Sequence, residues 1–547
     1  STTTTETAFS PDGTILSRSF TTTSANGLVS TSTVDANGDA VTETSLSQTL
    51  ALNADGSRVL TSDVNNGDGS NRTMSTTTTS DDGLVVTVAS DLNGDNLSDR
   101  VSTSVTVLEA TGSVTDTRQL KAQNGAVLSQ TQTTVSDDGL VRVTRMDADG
   151  DGDFDLVATQ TVTLLVDGGR TVTEELRTDT NVLRAKSVTT TSDDGRVVTS
   201  TLDGNGDGVT DSTASRVVAN DGTVTTVSSQ LSVSGALESR TQTITSDDGL
   251  TTLSQWDRNG DGIYERQTSS LAVLNADGST TVTSTGKGSN GAAYVRSTLV
   301  TSDDGLTQTR SDDLDGDGTN EFVQLSTQSL AADGILTATV DRRAENNALI
   351  ERVTQVTSAD QRSVTRSTDL DGNGVNDRVT VTTIAATGLQ TATTTFLSSG
   401  GVLEGRFVAT VSGDGLVRST AHDTNGDGRV DLGMTDQTTL AADGSVARVM
   451  TYTNERNQVL GQEKSFANDD GTYATQALDL NGDRIFEFST ESTKIYDANG
   501  DVRWLQTTAD ATGDSISEIL TTTSGNGLRS TVATDFSGDG NADRTVT

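Results

Sequence analysis

The sequence predicts an all-β chain of about ten tandem 56-residue units, each of four antiparallel strands, laid out as an elongated β-rod or superhelix. Three observations carry this expectation. The run Ser80-Asp81-Asp82-Gly83 recurs as Ser136-Asp137-Asp138-Gly139 and again at Gly195, Gly249 and Gly305, with weaker copies ending at Gly27, Gln361, Gly415, Gly471 and Gly527. Successive anchors stand 56 or 54 residues apart, so all ten copies keep one phase. Each copy is divided by further turn signals, and the stretches between turns are rich in β-branched residues with no sustained helical period.

The elements of one unit follow in order. The anchor turn opens it. A short strand then leads to an aspartate eight positions after the anchor, which starts an Asp/Asn/Gly-rich loop. A second strand, such as Val101 to Val107 or Val379 to Thr383, runs to an Asp-Gly turn of the type seen at Asp55-Gly56, Asp221-Gly222, Asp277-Gly278, Asp333-Gly334 and Asp443-Gly444. A third strand ends about 12 residues later at a Gly or Asn turn, as at Asn124-Gly125 or Ser234-Gly235, and a fourth returns to the next anchor. Asp-Gly and Asn-Gly pairs favour the positive φ that type I′ hairpins require. In the two 54-residue copies the missing residues fall between the loop and the next turn. Loss of an even number keeps every strand side chain on its original face, which is what a sheet demands. The units run 1–23 (partial), 24–79, 80–135, 136–191, 192–245, 246–301, 302–357, 358–411, 412–467, 468–523 and 524–547 (partial). A β-propeller with one blade per unit is the alternative architecture. For the rod, strands across the axis give about 19 Å per unit and about 190 Å in all, with each unit touching only its neighbours.

Composition limits the function. Of the 547 residues, 31% are apolar and 3% aromatic, with 53 Gly, one Pro, one His and no Cys. There is no disulfide framework, no thiolate chemistry and no set of histidines for acid–base work or zinc. The net charge of −40 argues against nucleic acid or anionic lipid as a partner. No apolar run approaches 18 residues and no leader peptide is visible, so no membrane insertion is expected. The chain begins and ends inside its own pattern, as expected of a segment of something longer. His422 reads as an ordinary exposed residue, Trp256 and Trp504 as fillers of packing gaps, and an enzyme is not expected.

The ten recurring aspartates each open the pattern Asp-x-Asn/Asp-Gly-Asp-Gly-x-x-Asp/Glu. The candidate ligands at positions one, three, five and nine are Asp35, Asn37, Asp39 and Glu43 in the first loop, and Asp91, Asn93, Asp95 and Asp99 in the second. Next come Asp147, Asp149, Asp151 and Asp155, then Asp203, Asn205, Asp207 and Asp211, then Asp257, Asn259, Asp261 and Glu265. Asp313, Asp315, Asp317 and Glu321 follow, then Asp369, Asp371, Asn373 and Asp377, and Asp423, Asn425, Asp427 and Asp431. The last two sets are Asp479, Asn481, Asp483 and Glu487, and Asp535, Ser537, Asp539 and Asp543.

Calcium fits such loops, because a hard cation takes six to eight oxygens at roughly 2.3–2.6 Å. Alternate side chains point inward in a tight coil, the backbone carbonyl at position seven adds an oxygen and the acid at nine closes the shell. Magnesium prefers to keep its waters. Thirty-two of the 77 acids occupy these positions, so the excess charge resides in the loops, and ten calcium ions would bring −40 to −20. Position six is Ala40, Asn96 and Arg484 in three loops and Ser537 replaces the usual Asn or Asp at position three, so the sites at Asp35 and Asp479 are expected to bind more weakly than that at Asp147.

The loop is similar to the first nine positions of an EF-hand, and closer to the helix-free loops of thrombospondin type 3 repeats and of FG-GAP blades in integrin-like propellers. It departs from the EF-hand at position twelve, where Leu46, Ser102, Ala158, Ala214 and Thr268 stand instead of glutamate. It lacks the Phe-Gly and Gly-Ala-Pro signatures of FG-GAP blades. The whole unit resembles repeats of very large secreted calcium-binding proteins of the RTX adhesin type, although the RTX nonapeptide itself does not occur. That resemblance implies an extracellular or cell-surface protein of biofilm matrix, filament or adhesin type, with calcium as its partner and self-association between chains in prospect. A chain so poor in aromatics builds only a thin core, so calcium is expected to supply the stability that burial does not. Scarce Pro and absent Cys suit export of an unfolded chain. A calcium-dependent glycan- or protein-binding module, propeller-like, is the second functional expectation.

Overall fold

The computed structural model describes residues 1–10 and 13–547, which form forty β-strands, β1 (Thr2–Phe9) to β40 (Arg544–Val546), and no α-helix. Each strand pairs antiparallel with the next, through every unit boundary, so chain order is spatial order. The all-β expectation holds. The propeller does not, because separate blades would interrupt the ladder every four strands and this ladder is continuous.

Local sequence explains the unit. In the anchor turn the Gly83 N–H donates to the Ser80 carbonyl at 3.0 Å, and Gly83 takes φ +74°. The Ser80 hydroxyl donates to Asp82 at 2.6 Å and accepts from the Val85 N–H at 2.9 Å. That hydroxyl, with the Leu84 N–H, holds the Asp82 carboxyl below its ordinary value. The hairpin turns differ from the type I′ expectation. At Asn53–Ser57 the Gly56 N–H donates to Asn53 and the Asn53 N–H to the Ser57 carbonyl, and Gly56 has positive φ while Asp55 does not. One left-handed residue after a helical pair is the type I turn with a glycine bulge, which widens the loop by one residue yet keeps the strand twist. The Gly or Asn turns repeat it, with a register shift at the same place in each unit, between Val64 and Asn65 or Leu176 and Arg177.

The sheet is one layer thick. Its accessible surface is 30280 Å², against about 18,600 Å² for a compact monomer of this mass. Among the described residues only Ala122 and Leu128 are buried apolar side chains. Backbone ladders and cross-strand pairs such as Thr133 with Thr144, or Arg352 with the buried Asp341, carry most of the order.

Ala122 and Leu128 are buried because the ribbon coils onto itself. The Asp68 N–H donates to the Ala442 carbonyl at 2.8 Å, and the Asn124 N–H to the Ala498 carbonyl at 2.9 Å, each pair 374 residues apart. The turn after β5 (Arg58–Asn66) thus meets the turn after β32 (Leu432–Leu440), 27 strands on. At about 4.8 Å per strand, one turn of the coil measures about 130 Å around and about 40 Å across. The superhelix therefore departs from the rule that a unit touches only its neighbours, and the 190 Å of strand-to-strand length is wound rather than straight. Leu16 and Leu128 pack at the seam against Gly413 and Gly525, where an added Cβ would lie 2.9 and 2.6 Å from a leucine methyl. Asn66 donates across it to Asp469 at 2.5 Å, and Arg100 to the Gly525 carbonyl at 3.2 Å.

Candidate metal loops

Every loop lies on the same long edge of the ribbon, between an odd strand and the following even one. The position-one aspartate is the last residue of its strand, as Asp35 is of β3 (Val29–Asp35) and Asp91 of β7 (Val85–Asp91). All ten are buried, from 1% exposure at Asp91 and Asp257 to 8% at Asp35. In each, one carboxylate oxygen accepts from the glycine N–H at position four, at 2.6 Å in Asp147, Asp203 and Asp313. The other oxygen accepts from the N–H at position six, at 3.1, 2.9 and 3.1 Å in the same loops. The acid at position nine reaches back to the N–H at position two, as Asp155 does to Ala148 at 2.7 Å and Glu321 to Leu314 at 2.5 Å. Side chains at three and five accept from the N–H groups at five and seven, as with Asn205 to Asp207 and Asp207 to Val209. In the loops at Asp147, Asp203 and Asp313 each oxygen of the first aspartate accepts one N–H and so keeps a second lone pair.

Position four is glycine for two reasons. Its φ is positive in every loop, +71° to +78°. Its Cβ, if present, would meet the carbonyl oxygen of the residue 23 positions earlier, 2.2 Å from Val127 in the case of Gly150 and 2.0 Å from Leu349 in the case of Gly372. The loop is thereby pressed against the Gly or Asn turn that closes the preceding unit. Position six is also left-handed, including Ala40 at +69°, Asn96 at +66° and Arg484 at +72°. The two non-Asn side chains accept strain there that glycine avoids.

The acids converge enough to share an ion. Oxygens of Asp313, Asp315, Asp317 and Glu321 lie within 4.8 Å of one another, as do those of Asp35, Asp39 and Glu43, of Asp257, Asp261 and Glu265, and of Asp369, Asp371 and Asp377. Two opposite calcium ligands at about 2.4 Å from the ion would be separated by that distance. In the third loop Asp147, Asp149 and Asp155 converge, and Asp151 stays outside the trio. Glu265 Oε1 is buried with no hydrogen-bond partner, an orphaned carboxylate oxygen of the kind a cation would satisfy. Burial raises the Asp99 carboxyl above its ordinary value, opposed by the Leu92 N–H and reinforced by Asp95 and Asp91.

Other singled-out residues fall elsewhere. His422 is half-buried and packs against Phe407 with ring centres 4.5 Å apart and planes tilted by 57°, rather than standing exposed. Trp256 lies under the Arg266 guanidinium at 5.7 Å, while Trp504 is 55% exposed and fills no gap. Sequence reasoning did not find the seam. Its one available signal was glycine at 413 and 525, where six other anchors carry aspartate and two carry alanine.

No family model matches the chain, and no curated protein does. Solved structures that align with it include a Photorhabdus luminescens Tc holotoxin pore, at 12% identity and a TM-score of 0.11 over 92% of this chain and 33% of that one. The TcdB2-TccC3 complex aligns at 11% and 0.12, over 99% and 38%. A tryptophan-to-alanine mutant of transferrin-binding protein B from Haemophilus parasuis aligns at 10% and 0.11, over 72% and 82%. The chain spans about a third of the length of the Tc chains. These scores are too low to carry an argument about what this chain does.

Proposed function

We propose that the chain is a calcium-rigidified structural segment of an extracellular bacterial surface, adhesin or biofilm-matrix protein. The observation that carries this reading is the tenfold loop, in which a buried aspartate and a closing acid are oriented by backbone N–H groups, with three or four acids converging within 4.8 Å in loops such as those at Asp35, Asp257 and Asp313. A single-layer sheet with two buried apolar side chains has little burial to offset its conformational entropy. An ion bound only in the folded state supplies that stability. Without it, the loop carboxylates repel one another. Affinities of order 10⁻⁴ to 10⁻³ M, as in extracellular modules, would leave the chain soft at cytosolic calcium and firm outside the cell. RTX-adhesin-type repeats remain the family this reading favours.

The test is a thermal melt followed by circular dichroism at millimolar calcium and after chelation. The expected result is a large fall in melting temperature on chelation, restored by calcium and much less by magnesium. An unchanged melt would remove the proposal.

A further inference from the structure

Five concavities of about 350 to 470 Å³ open on the sheet, and side chains of one face make up nearly all of their walls. Register carries that face from strand to strand: Arg310 opposes Gln324, which opposes Arg342, and Arg366 opposes Thr380, which opposes Thr394 and then Phe407. On it, basic side chains outnumber acidic ones, although the chain as a whole carries −40. The acids sit mainly in turns at the ribbon's edges. With a screening length of about 8 Å at physiological salt, edge charge does not cancel the centre of the face.

Two of the concavities meet at Arg366. The first holds Arg310, Arg342 and Phe322; the second holds Thr368, Arg378, Phe396 and Phe407. Arg310 is tied to Asp312 at 2.9 Å, and Arg342 lies 4.2 Å over the Phe322 ring. Arg366 and Arg378 form no ion pair and no side-chain hydrogen bond, although Glu351 lines the same concavity as Arg366. They stand diagonally across neighbouring strands, β27 (Ser363–Asp369) and β28 (Arg378–Ile384), roughly 7 Å apart at Cβ. Beside them Phe396 leaves 44% of its surface in solvent, directly opposite Arg378. Thr368, Thr380 and Thr394 floor the gap with hydroxyls.

We infer that this groove binds an acidic sugar, one to three hexuronate residues of a carboxylated polysaccharide. Each part of such a ligand finds its match. Guanidinium forks take planar carboxylates bidentately. An exposed phenyl ring covers the apolar C–H face of a pyranose, and threonine hydroxyls exchange hydrogen bonds with its hydroxyls. The volume, about 390 Å³ for the pocket at Arg378, suits one or two sugar rings. Asp312 and Glu351 line only the concavity at Arg310, so a short ligand seated at the acid-free Arg378 end avoids them, whereas a longer polyanion such as a nucleic acid would carry its phosphates past them. An acidic peptide would leave the exposed ring unused.

The experiment is calorimetric titration of the full chain at fixed calcium with trigalacturonate, neutral galactotriose, a short poly-glutamate and a DNA oligonucleotide. Saturable binding of trigalacturonate alone is expected. R366A/R378A should weaken it roughly a hundredfold, about tenfold per charge-assisted contact, and R366K/R378K should recover only part of it. F396A should weaken trigalacturonate and leave the melting curve unchanged. The metal loops are intact in all three variants, so calcium-bridged binding at the ribbon edge would survive R366A/R378A. That survival would overturn the proposal, as would tighter binding of poly-glutamate or DNA, or no binding of trigalacturonate.

Discussion

Asn66 and Ala122 hold the same place in their units as Thr178, Ser232 and Gly288, yet only the first two are buried, at 3% and 1% exposure. The loops, turns and strands around them are alike. What differs is the second turn of the coil, which covers the early units and leaves the middle ones open. The partner edge differs as well: Gly413 and Gly525 receive leucines, whereas the uncovered anchors at the same position carry Asp81, Asp137, Asp193, Asp247 and Asp303, with Ala25 and Ala359 the two exceptions. Aspartate there would strike the leucine and bring a charge into an apolar contact. Between Gly413 and Gly525, Asp469 keeps the aspartate of the repeat and takes a hydrogen bond from Asn66 instead, so the leucine-to-glycine contacts are the departures from the repeat that mark this seam.

Breaking that contrast should have the largest effect. Gly413→Asp with Gly525→Asp should open the coil, and small-angle scattering should show the maximum dimension growing toward about 190 Å. Asp193→Gly, in an uncovered unit, should leave the profile unchanged. Equal profiles for both variants would show that the seam does not hold the coil.

Within one loop the two glycines differ in the same way. Gly150 faces the Val127 carbonyl at 2.2 Å from a hypothetical Cβ, while Gly152 has open space around it. Gly150→Ala should cost roughly 3 kcal/mol and Gly152→Ala roughly 1 kcal/mol, the second from left-handed backbone strain alone. Chemical denaturation of the two variants checks the order. If they prove equally destabilised, close backbone approach is not what fixes position four.

A smaller effect is expected from relieving strain. Ala40→Gly should tighten calcium binding at the Asp35 loop and stabilise it by about 1 kcal/mol, with Asn96→Gly giving less. Titration calorimetry should also rank the unmodified loops at Asp35 and Asp479 below that at Asp147.

The smallest effect concerns pH. Hydrogen bonds and charge from Arg352, with help from Arg343, hold the Asp341 carboxyl below its ordinary value of 3.8, against the cost of burial. Its folded pKa lies below its unfolded one, so its contribution is complete above the unfolded value and is lost as pH falls through the folded one. Arg352 is nearly half exposed, so screening limits the contribution to about 1 kcal/mol or less. Melts of the wild type and of D341N between pH 7 and pH 3 should converge at the acid end. A constant gap would assign the effect of D341N to packing.

The repeat was legible because its causes are local. Asp82 needs only Ser80 and Leu84 to form its turn, and Asp147 needs only Gly150 and Gly152 to orient its carboxylate. Strand parity survived the 54-residue copies for the same reason, since Ser212 to Val218 keeps its faces in register with Val224 to Leu231. The turn type was misread because Asp-Gly signals positive φ without saying how many residues adopt it. The arginine face was hidden because alternation along a strand shows two faces without showing which residues of distant strands share one. Arg310 and Arg366 join only through four intervening registers.

From its residues alone, this chain was bound to form hairpins at a fixed spacing and to set ten acidic loops at their ends, because turn chemistry and side-chain alternation act over a handful of neighbours. Only the folded chain decided that the ribbon winds with 27 strands to the turn, that Leu16 and Leu128 find glycines nearly four hundred residues away, and that scattered arginines gather on one surface. Twist and curvature accumulate in small steps over many strands, and no single unit contains their sum.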